Sequence, residues 1–197
     1  MNYPEYVEID GKKYKINTDF RVAIQCNEIA LDETIDDEER AMAIIFKLFG
    51  ENGLADINKY DDLLECGKKF LACGKELKQE TEPPDMDYVE DMDYIEASFM
   101  SDYQIDLSNI KMHWWKFNNL INGLSNSEMG NCCVLNRIRN LRNYDLKDIT
   151  DTKERSKILK AKQQVALKKT MKPTKKPTEE QLKNAKEFLS ALGYGGD

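Results

Sequence analysis

The segment "MHWWKFNNL" (112–120) contains both tryptophans and the single histidine of the chain. At about 100° per residue, a helix through this segment has one continuous apolar face. That face comprises Ile110, Trp114, Phe117, Ile121 and Leu124. His113 lies at its edge, so we interpret it as a hydrogen-bonded residue that borders the core. The pattern predicts a helix that anchors the fold through Trp114.

The second tryptophan does not belong to that apolar face. Trp115 shares its side of the helix with Met112, Asn119 and Asn122. Either Trp115 packs against another element, such as a helix at 88–101, or it lies at an interface, where tryptophan is enriched among strongly binding residues. Met112, Trp115 and Asn119 are therefore candidate partner-binding residues.

Residues that precede this segment predict a hairpin and then helices. The stretch "YVEIDGKKYKI" (6–16) has apolar residues in alternation on both sides of Asp10-Gly11, which predicts a β-hairpin. Thr18 or Asp19 can then cap a first helix. Its inward-facing residues would be Phe20, Ala23 and Ile24.

Two further helices are predicted before residue 75. Asp36 with Glu39 has the spacing of a capping box, and the helix that starts there should end at Gly50. Residues 58–74 have apolar residues at helical spacing, although Gly67 weakens that prediction. Those apolar residues are Leu63, Leu64, Phe70 and Leu71.

The segment that contains Pro83-Pro84 separates these helices from the next ones, because neither proline fits a helix interior. A helical period then runs through the 88–101 segment. After it, Ser108 is a candidate cap of the tryptophan helix and Ser127 a candidate cap of the helix that follows. The apolar positions of the 88–101 helix are Val89, Met92, Ile95 and Phe99. The predicted fold is mainly α, a helical bundle-like domain with an N-terminal β-hairpin and a C-terminal helical appendage.

The charge of the chain is unevenly distributed. Residues 1–144 carry 16 basic and 28 acidic side chains, whereas residues 145–197 carry 13 and 8. The basic part contains the Pro/Lys stretch "MKPTKKPT", which is typical of a linker. We therefore predict a core domain at 1–150, a basic helix with its linker at 151–177, and an amphipathic helix at 178–197.

The last predicted helix has one apolar face. It is only about 14 residues long, and an isolated helix of that length is only marginally stable in water. The face comprises Leu182, Ala185, Phe188, Leu189 and Leu192. Such a helix must dock on its own domain, on another copy or on a partner. Leu182, Phe188 and Leu189 are thus further candidate partner-binding residues.

No residue pattern points to catalysis. One histidine cannot provide a two-histidine metal site or a histidine triad within one chain, and no phosphate-binding glycine loop or nucleophile elbow occurs. The five cysteines lack Cys-x-x-Cys spacing, so we expect reduced thiols. The acidic run at 85–96 is interpreted as a solvated helix face, with a metal site or a docking surface for a basic partner as alternatives. We expect no enzymatic activity, no cofactor and no bound metal.

The stretch "DMDYIEASFMSDYQIDLSNIKMHWWKFNNLINGL" (91–124) resembles the phage gene-product-fifteen family, from the tail-gene cluster of tailed phages and prophages of Gram-positive bacteria. The motif "NTDFRVAIQ" (17–25) is also similar. The strong resemblance covers 91–124 and a looser one covers 1–144, with no matching motif after about residue 150. The family often has a small residue, commonly Gly, where this chain has Gln104.

The resemblance implies a tail assembly chaperone. Such a protein would bind the long hydrophobic helices of the tape-measure protein, and possibly the tail-tube protein, in the host bacterial cytoplasm, and would be absent from the mature virion. Helix-in-groove binding is a suitable mode. Self-association is compatible with this role, whereas a membrane partner is not expected. The alternative is a phage regulatory protein that binds nucleic acid through its basic segment at 152–176, although no aromatic residue is interleaved there for base stacking.

Truncation after Thr170 tests the role of the C-terminal segment. We expect the shortened chain to keep nearly the full melting temperature, because the predicted core lies within 1–150, and to lose affinity for a tape-measure fragment in a pull-down. Aggregation or unfolding of the truncated chain would show instead that the terminal helix is part of the core.

Overall fold

The computed structural model describes residues 3–76, 84–126, 132–147 and 149–168. In these residues a two-stranded antiparallel sheet precedes a series of helices. The elements are β1 (Tyr6–Ile9), β2 (Lys12–Lys15), α1 (Phe20–Leu31), α2 (Asp37–Leu54), a 3₁₀ helix (Ile57–Lys59), α3 (Tyr60–Leu71), α4 (Met92–Tyr103), α5 (Trp114–Asn122), α6 (Val134–Asn143) and α7 (Thr152–Val165). The fold is mainly α with an N-terminal hairpin, as predicted.

The hairpin turns at the predicted dipeptide. Asp10 and Gly11 both have positive φ, 49° and 78°, which suits the turns that match the right-handed twist of paired strands. Tyr14 of β2 is buried and donates a hydrogen bond of 2.5 Å to the carboxylate of Asp56. The hydrogen bonds from Tyr14 and then from Lys12 lower the pKa of that carboxyl group. The hairpin is thereby tied to the segment that follows α2.

The first two helices begin at the predicted caps. The Asp19 carboxylate accepts a hydrogen bond of 2.9 Å from the Arg21 amide, and Asp36 with Glu39 forms a complete capping box. The predicted end of α2 at Gly50 is a break and not an end. Gly50 has φ 65° and ψ −158°, a conformation that essentially only glycine adopts, and the helix then resumes as far as Leu54.

Gly67 does not interrupt α3, which is one continuous helix. A Cβ atom at Gly67 would lie 3.0 Å from Cδ1 of Leu48 on α2. The missing side chain therefore allows α3 to approach α2 closely. The glycine that weakens the sequence prediction of α3 therefore allows α3 to pack closely on α2.

The acidic run is not simply a solvated helix face. Helix α4 begins at Met92, and Val89 lies in the preceding turn with 44% of its surface exposed. Asp91 is fully buried, and its carboxylate accepts a hydrogen bond of 3.0 Å from the amide of Asp87. The carboxylate of Asp87 in turn accepts bonds from the amides of Val89 and Glu90. These acids stabilise the turn that leads into α4.

The prediction that Ser108 caps the tryptophan helix is wrong. Its amide and hydroxyl bind the carboxylate of Asp106, while α5 begins six residues later at Trp114. Ile110 therefore precedes the helix and is not part of its apolar face. The proposed cap Ser127 lies outside the described residues, and the helix expected after it begins at Val134.

The chain divides into two compact units. Of the described residues, unit 1 comprises 3–76, 86–126 and 132–140, and its buried apolar side chains form one core contributed by the hairpin, α1 to α5 and the start of α6. Of the described residues, unit 2 comprises 84–85, 141–147 and 149–168. Within unit 2, Arg142 donates to the carbonyls of Val165 and Asp85 at 2.6 and 2.8 Å.

Helix α7 contains most of the described part of the basic stretch. Asp151 caps its first turn through bonds to the amides of Lys153 and Glu154, and none of its residues is buried. Residues 152–165 of the basic stretch therefore form a helix without buried side chains. The predicted linker and the C-terminal amphipathic helix at 178–197, with Leu182, Phe188 and Leu189, lie outside the described residues.

Replacement of Gln104 by glycine should raise the free energy of unfolding. Gln104 ends α4 in the left-handed region, with φ 55° and ψ 35°. That conformation costs a side-chain-bearing residue roughly 1–2 kcal/mol, while glycine loses more chain entropy on folding, so the net gain should be about 0.5–1 kcal/mol. Urea denaturation measures it. The control is Gln104→Ala, which keeps the backbone penalty, and equal stabilities of the two variants would contradict this explanation.

Candidate functional site

The tryptophan helix α5 is capped by His113. The Nδ1 atom of His113 accepts a hydrogen bond of 3.0 Å from the amide of Trp115. Nδ1 is therefore unprotonated, and the proton on Nε2 is donated to the carbonyl of Pro4 at 3.0 Å. The prediction of a hydrogen-bonded histidine at the edge of the core is confirmed. Its role as helix cap was missed, because histidine is not among the residues that usually cap helices.

The two indole rings bind the end of another helix. Nε1 of Trp114 donates to the carbonyl of Leu71 at 2.9 Å, and Nε1 of Trp115 donates to the carbonyl of Phe70 at 2.8 Å. The last carbonyls of a helix have no partner within that helix. The adjacent tryptophans thus supply hydrogen bonds to the C-terminal end of α3, which explains why two of them stand side by side.

The environments of the two rings differ. Trp114 is only 1% exposed and packs on Phe117, with ring centroids 5.9 Å apart. Trp115 is half-buried and stacks on Phe70 at 6.3 Å. Of the two alternatives for Trp115, the structure shows packing within the chain, but against the end of α3 and not against the 88–101 segment.

The candidate partner-binding residues of this segment have different accessibilities. Met112 is only 5% exposed and belongs to the core, so it offers almost no surface to a partner. Asn119 is exposed, and its amide nitrogen lies 3.4 Å from the Tyr3 hydroxyl. Trp115 also faces Tyr3, at 6.4 Å between ring centroids. Trp115 and Asn119 therefore hold the N-terminal segment.

A large concave surface of unit 1 lies elsewhere. It is a groove of about 920 Å³ that we name the α1–α2 groove. Its walls are formed by residues 15–19, Val22, Gln25, 46–50, Asn52 and 111–113. Met112 and His113 contribute to one wall, whereas Trp115 and Asn119 do not line it. The groove therefore includes the first two residues of the tryptophan segment, but not its candidate partner-binding residues Trp115 and Asn119.

Phe46 is the most accessible large apolar residue of the groove. It is 48% exposed on α2, whereas its neighbours Ile45 and Leu48 are fully buried. The sequence contains a signal for this exposure. Four consecutive apolar residues, "AIIF" (43–46), cannot all face inward from one helix, so one of them must point outward.

The wall of the groove also carries basic side chains. Lys15, Lys47 and Lys111 all line it and are exposed, and Lys47 donates to the side-chain oxygen of Gln25 at 2.9 Å.

The thiol of Cys26, on α1, is fully buried. Burial raises its pKa to about 12, although the positive charge of Lys47 opposes the shift. Burial therefore favours the neutral thiol over the thiolate at neutral pH.

The described residues contain no cluster of three or more His, Cys, Asp or Glu side chains that could hold a metal ion. Over the same part of the chain, no helix is long and apolar enough to cross a membrane.

A family model described as Bacteriophage Gp15 protein matches residues 2–167. The chain belongs to the phage Gp15 family. The match confirms the resemblance seen in the tryptophan segment. It also extends past residue 150, where no motif was recognised, so α7 belongs to the Gp15 region as well. No curated protein and no solved structure matches the chain.

Separate replacement of the two tryptophans should affect stability unequally. Trp114→Ala should cost about 3–5 kcal/mol, as large aromatic deletions in cores do, and Trp115→Ala should cost less because that ring is half-buried. Trp115→Phe should cost only about 0.5–1.5 kcal/mol, since it removes one hydrogen bond and keeps the stacking on Phe70. If urea denaturation shows that the two alanine variants lose the same free energy of unfolding, the proposed difference between the two tryptophans is contradicted.

Proposed function

We propose that this protein is a tail assembly chaperone that binds the tape-measure protein during tail morphogenesis. Membership in a phage family supports a phage role. The resemblance of the tryptophan segment to proteins of the tail-gene cluster supports the narrower role. In this proposal the protein acts in the host cytoplasm, performs no catalysis and leaves before the virion is complete.

The observation that carries the proposal is the α1–α2 groove with the exposed ring of Phe46. Tape-measure proteins are long and helical, so their apolar faces need cover before the tail tube assembles around them. A helix binds a groove through apolar residues that recur on one of its faces. An accessible aromatic side chain within a concave surface is suited to anchor such a face, because aromatic residues are enriched among strongly binding positions.

The groove differs from the surface first expected for a client. Met112 was a candidate for adaptable contact, but its side chain is buried and contributes only to the wall. Phe46 takes the place of Met112 in the proposal. The exposed part of Asn119 stays available to a partner, but it lies outside the groove. Contacts with the tail-tube protein and self-association remain expectations of the same proposal.

The alternative of nucleic-acid binding rests on α7. This helix has five basic residues and one acidic residue, none of them buried, and no aromatic side chain. Such a helix can attract phosphate but cannot stack on bases. Retention of DNA or RNA with a steep dependence on salt would favour this alternative over the chaperone role.

Phe46→Ala should weaken the binding of a tape-measure fragment. Co-expression of the chain with a fragment of the tape-measure protein from the same phage should give a soluble complex. Removal of a central aromatic contact of about 2 kcal/mol corresponds to a loss of about thirtyfold in affinity. Isothermal titration of the purified components would measure it.

Leu31→Ala is the matched control. Leu31 is also an exposed apolar residue on a helix, 67% accessible, but it does not line the groove. This variant should bind as the wild type does. If both substitutions leave binding unchanged while the complex forms, the client binds elsewhere; if no complex forms at all, the chaperone proposal fails.

A further inference from the structure

The α1–α2 groove has a basic wall in an otherwise acidic part of the chain. Residues 1–144 carry 28 acidic and 16 basic side chains, yet three lysines line this groove. Lys15 comes from the end of β2, Lys47 from α2, and Lys111 from the segment before α5. Three elements that are distant in sequence thus bring like charges to one concave surface.

These three ammonium groups are not neutralised by nearby carboxylates. Within the described residues, no acidic side chain lies within 4.0 Å of Lys15, Lys47 or Lys111. Other lysines of unit 1 do have such partners: Lys12 pairs with Asp56 at 2.9 Å, and Lys69 pairs with Glu65 at 2.6 Å. The charges of the groove are therefore available to a ligand.

The only acidic side chain in the groove wall is already engaged. The carboxylate of Asp19 caps α1 through the Arg21 amide and lies 3.3 Å from the Arg21 guanidinium. Its negative charge is compensated within the protein. An approaching ligand therefore meets three uncompensated positive charges and one compensated negative charge.

The floor of the groove identifies the kind of ligand. Phe46 is exposed there and the partly buried Val22 lines the same groove, so an occupant must present apolar surface as well as negative charge. A nucleic-acid backbone presents phosphates without such an apolar strip. An amphipathic helix with acidic residues on both sides of its apolar face satisfies both requirements.

We propose that the α1–α2 groove selects helical segments whose apolar face is flanked by Asp or Glu. This inference rests on the proposed function, since it specifies the chemistry of the client segment. Lys15, Lys47 and Lys111 attract the acidic flanks, and the same lysines disfavour clients with basic flanks. Complementary charge at the edge of an apolar contact mainly provides selectivity and faster association.

Designed peptides test the preference directly. Three helical peptides of about 20 residues, long enough to form a helix on binding, would share one leucine face and differ only in flanks of Glu, Gln or Lys. Fluorescence anisotropy with labelled peptides should give the order Glu above Gln above Lys for the wild-type chain. The advantage of the Glu peptide should shrink at high salt, because surface charges are screened.

Charge reversal provides the decisive variant. A chain with Lys15→Glu, Lys47→Glu and Lys111→Glu should lose about tenfold in affinity for the Glu peptide, which corresponds to about 1.4 kcal/mol. It should also prefer the Lys peptide. The matched control carries Lys68→Glu, Lys116→Glu and Lys153→Glu, which change the net charge equally but do not line the groove. This control should retain the wild-type order, and thermal denaturation would verify that both variants are folded.

The outcomes separate the two proposals. Binding of the tape-measure fragment without any preference among the three peptides overturns the charge inference and leaves the chaperone proposal standing. Selective binding of the Glu peptide without binding of the fragment supports the charge inference and rejects the tape-measure client. Equal responses of the two triple variants, or tighter binding of a DNA oligonucleotide than of the Glu peptide in competition, would overturn the assignment of the groove.

Should the charge-reversed chain fail to fold, the triple substitution to Gln replaces it. Neutral side chains at these exposed positions add no repulsion, and the Glu peptide should then bind about as well as the Gln peptide. A retained preference for the Glu peptide in that variant would overturn the proposal.

Discussion

The fold depends on a junction at which the two tryptophans that begin α5 donate hydrogen bonds to the C-terminal end of α3. The carbonyls of Phe70 and Leu71 receive the indole protons of Trp115 and Trp114, at 2.8 and 2.9 Å. On the other side, His113 caps α5 and binds Pro4. The last carbonyls of a helix need partners outside it, and the Phe70 carbonyl also accepts a bond of 3.0 Å from the Cys73 amide. Three parts of the chain, distant in sequence, are joined at this junction.

The same junction positions the α1–α2 groove. The amide of Phe20 donates to the carbonyl of Met112 at 3.0 Å, and the amide of Trp114 donates to the carbonyl of Thr18 at 2.8 Å. These bonds join the start of α1 to the residues just before α5, and both stretches belong to the groove wall. The break at Gly50 lies beside them, where the amide of Asn17 donates to the carbonyl of Leu48 at 2.7 Å. The groove is therefore a consequence of how the core is closed.

The hairpin turn and the first helix caps, which depend on neighbouring residues, were predictable from the sequence, whereas several features that depend on distant contacts were not. The Asp10-Gly11 turn and the capping box at Asp36 are local chemistry, and both are present. The continuity of α3 through Gly67 depends on a contact with Leu48 of another helix. The burial of Asp91 and the capping by His113 likewise depend on tertiary surroundings. The groove combines Phe46, whose exposure the apolar run at 43–46 indicates, with three lysines that only the fold brings together.

The composition of the groove suits a contact that must form and then be released. One half-exposed aromatic residue gives a limited apolar contact, and exposed lysines at its edge each contribute little to affinity because water and salt screen them. Such charges act chiefly on the rate of encounter and on the choice of partner. A chaperone whose client passes into a polymerising tube needs rapid, selective capture and modest affinity, since a large apolar interface would oppose release. In the proposed role, the small apolar contact at Phe46 and the basic wall therefore favour rapid capture and release of the client over tight binding.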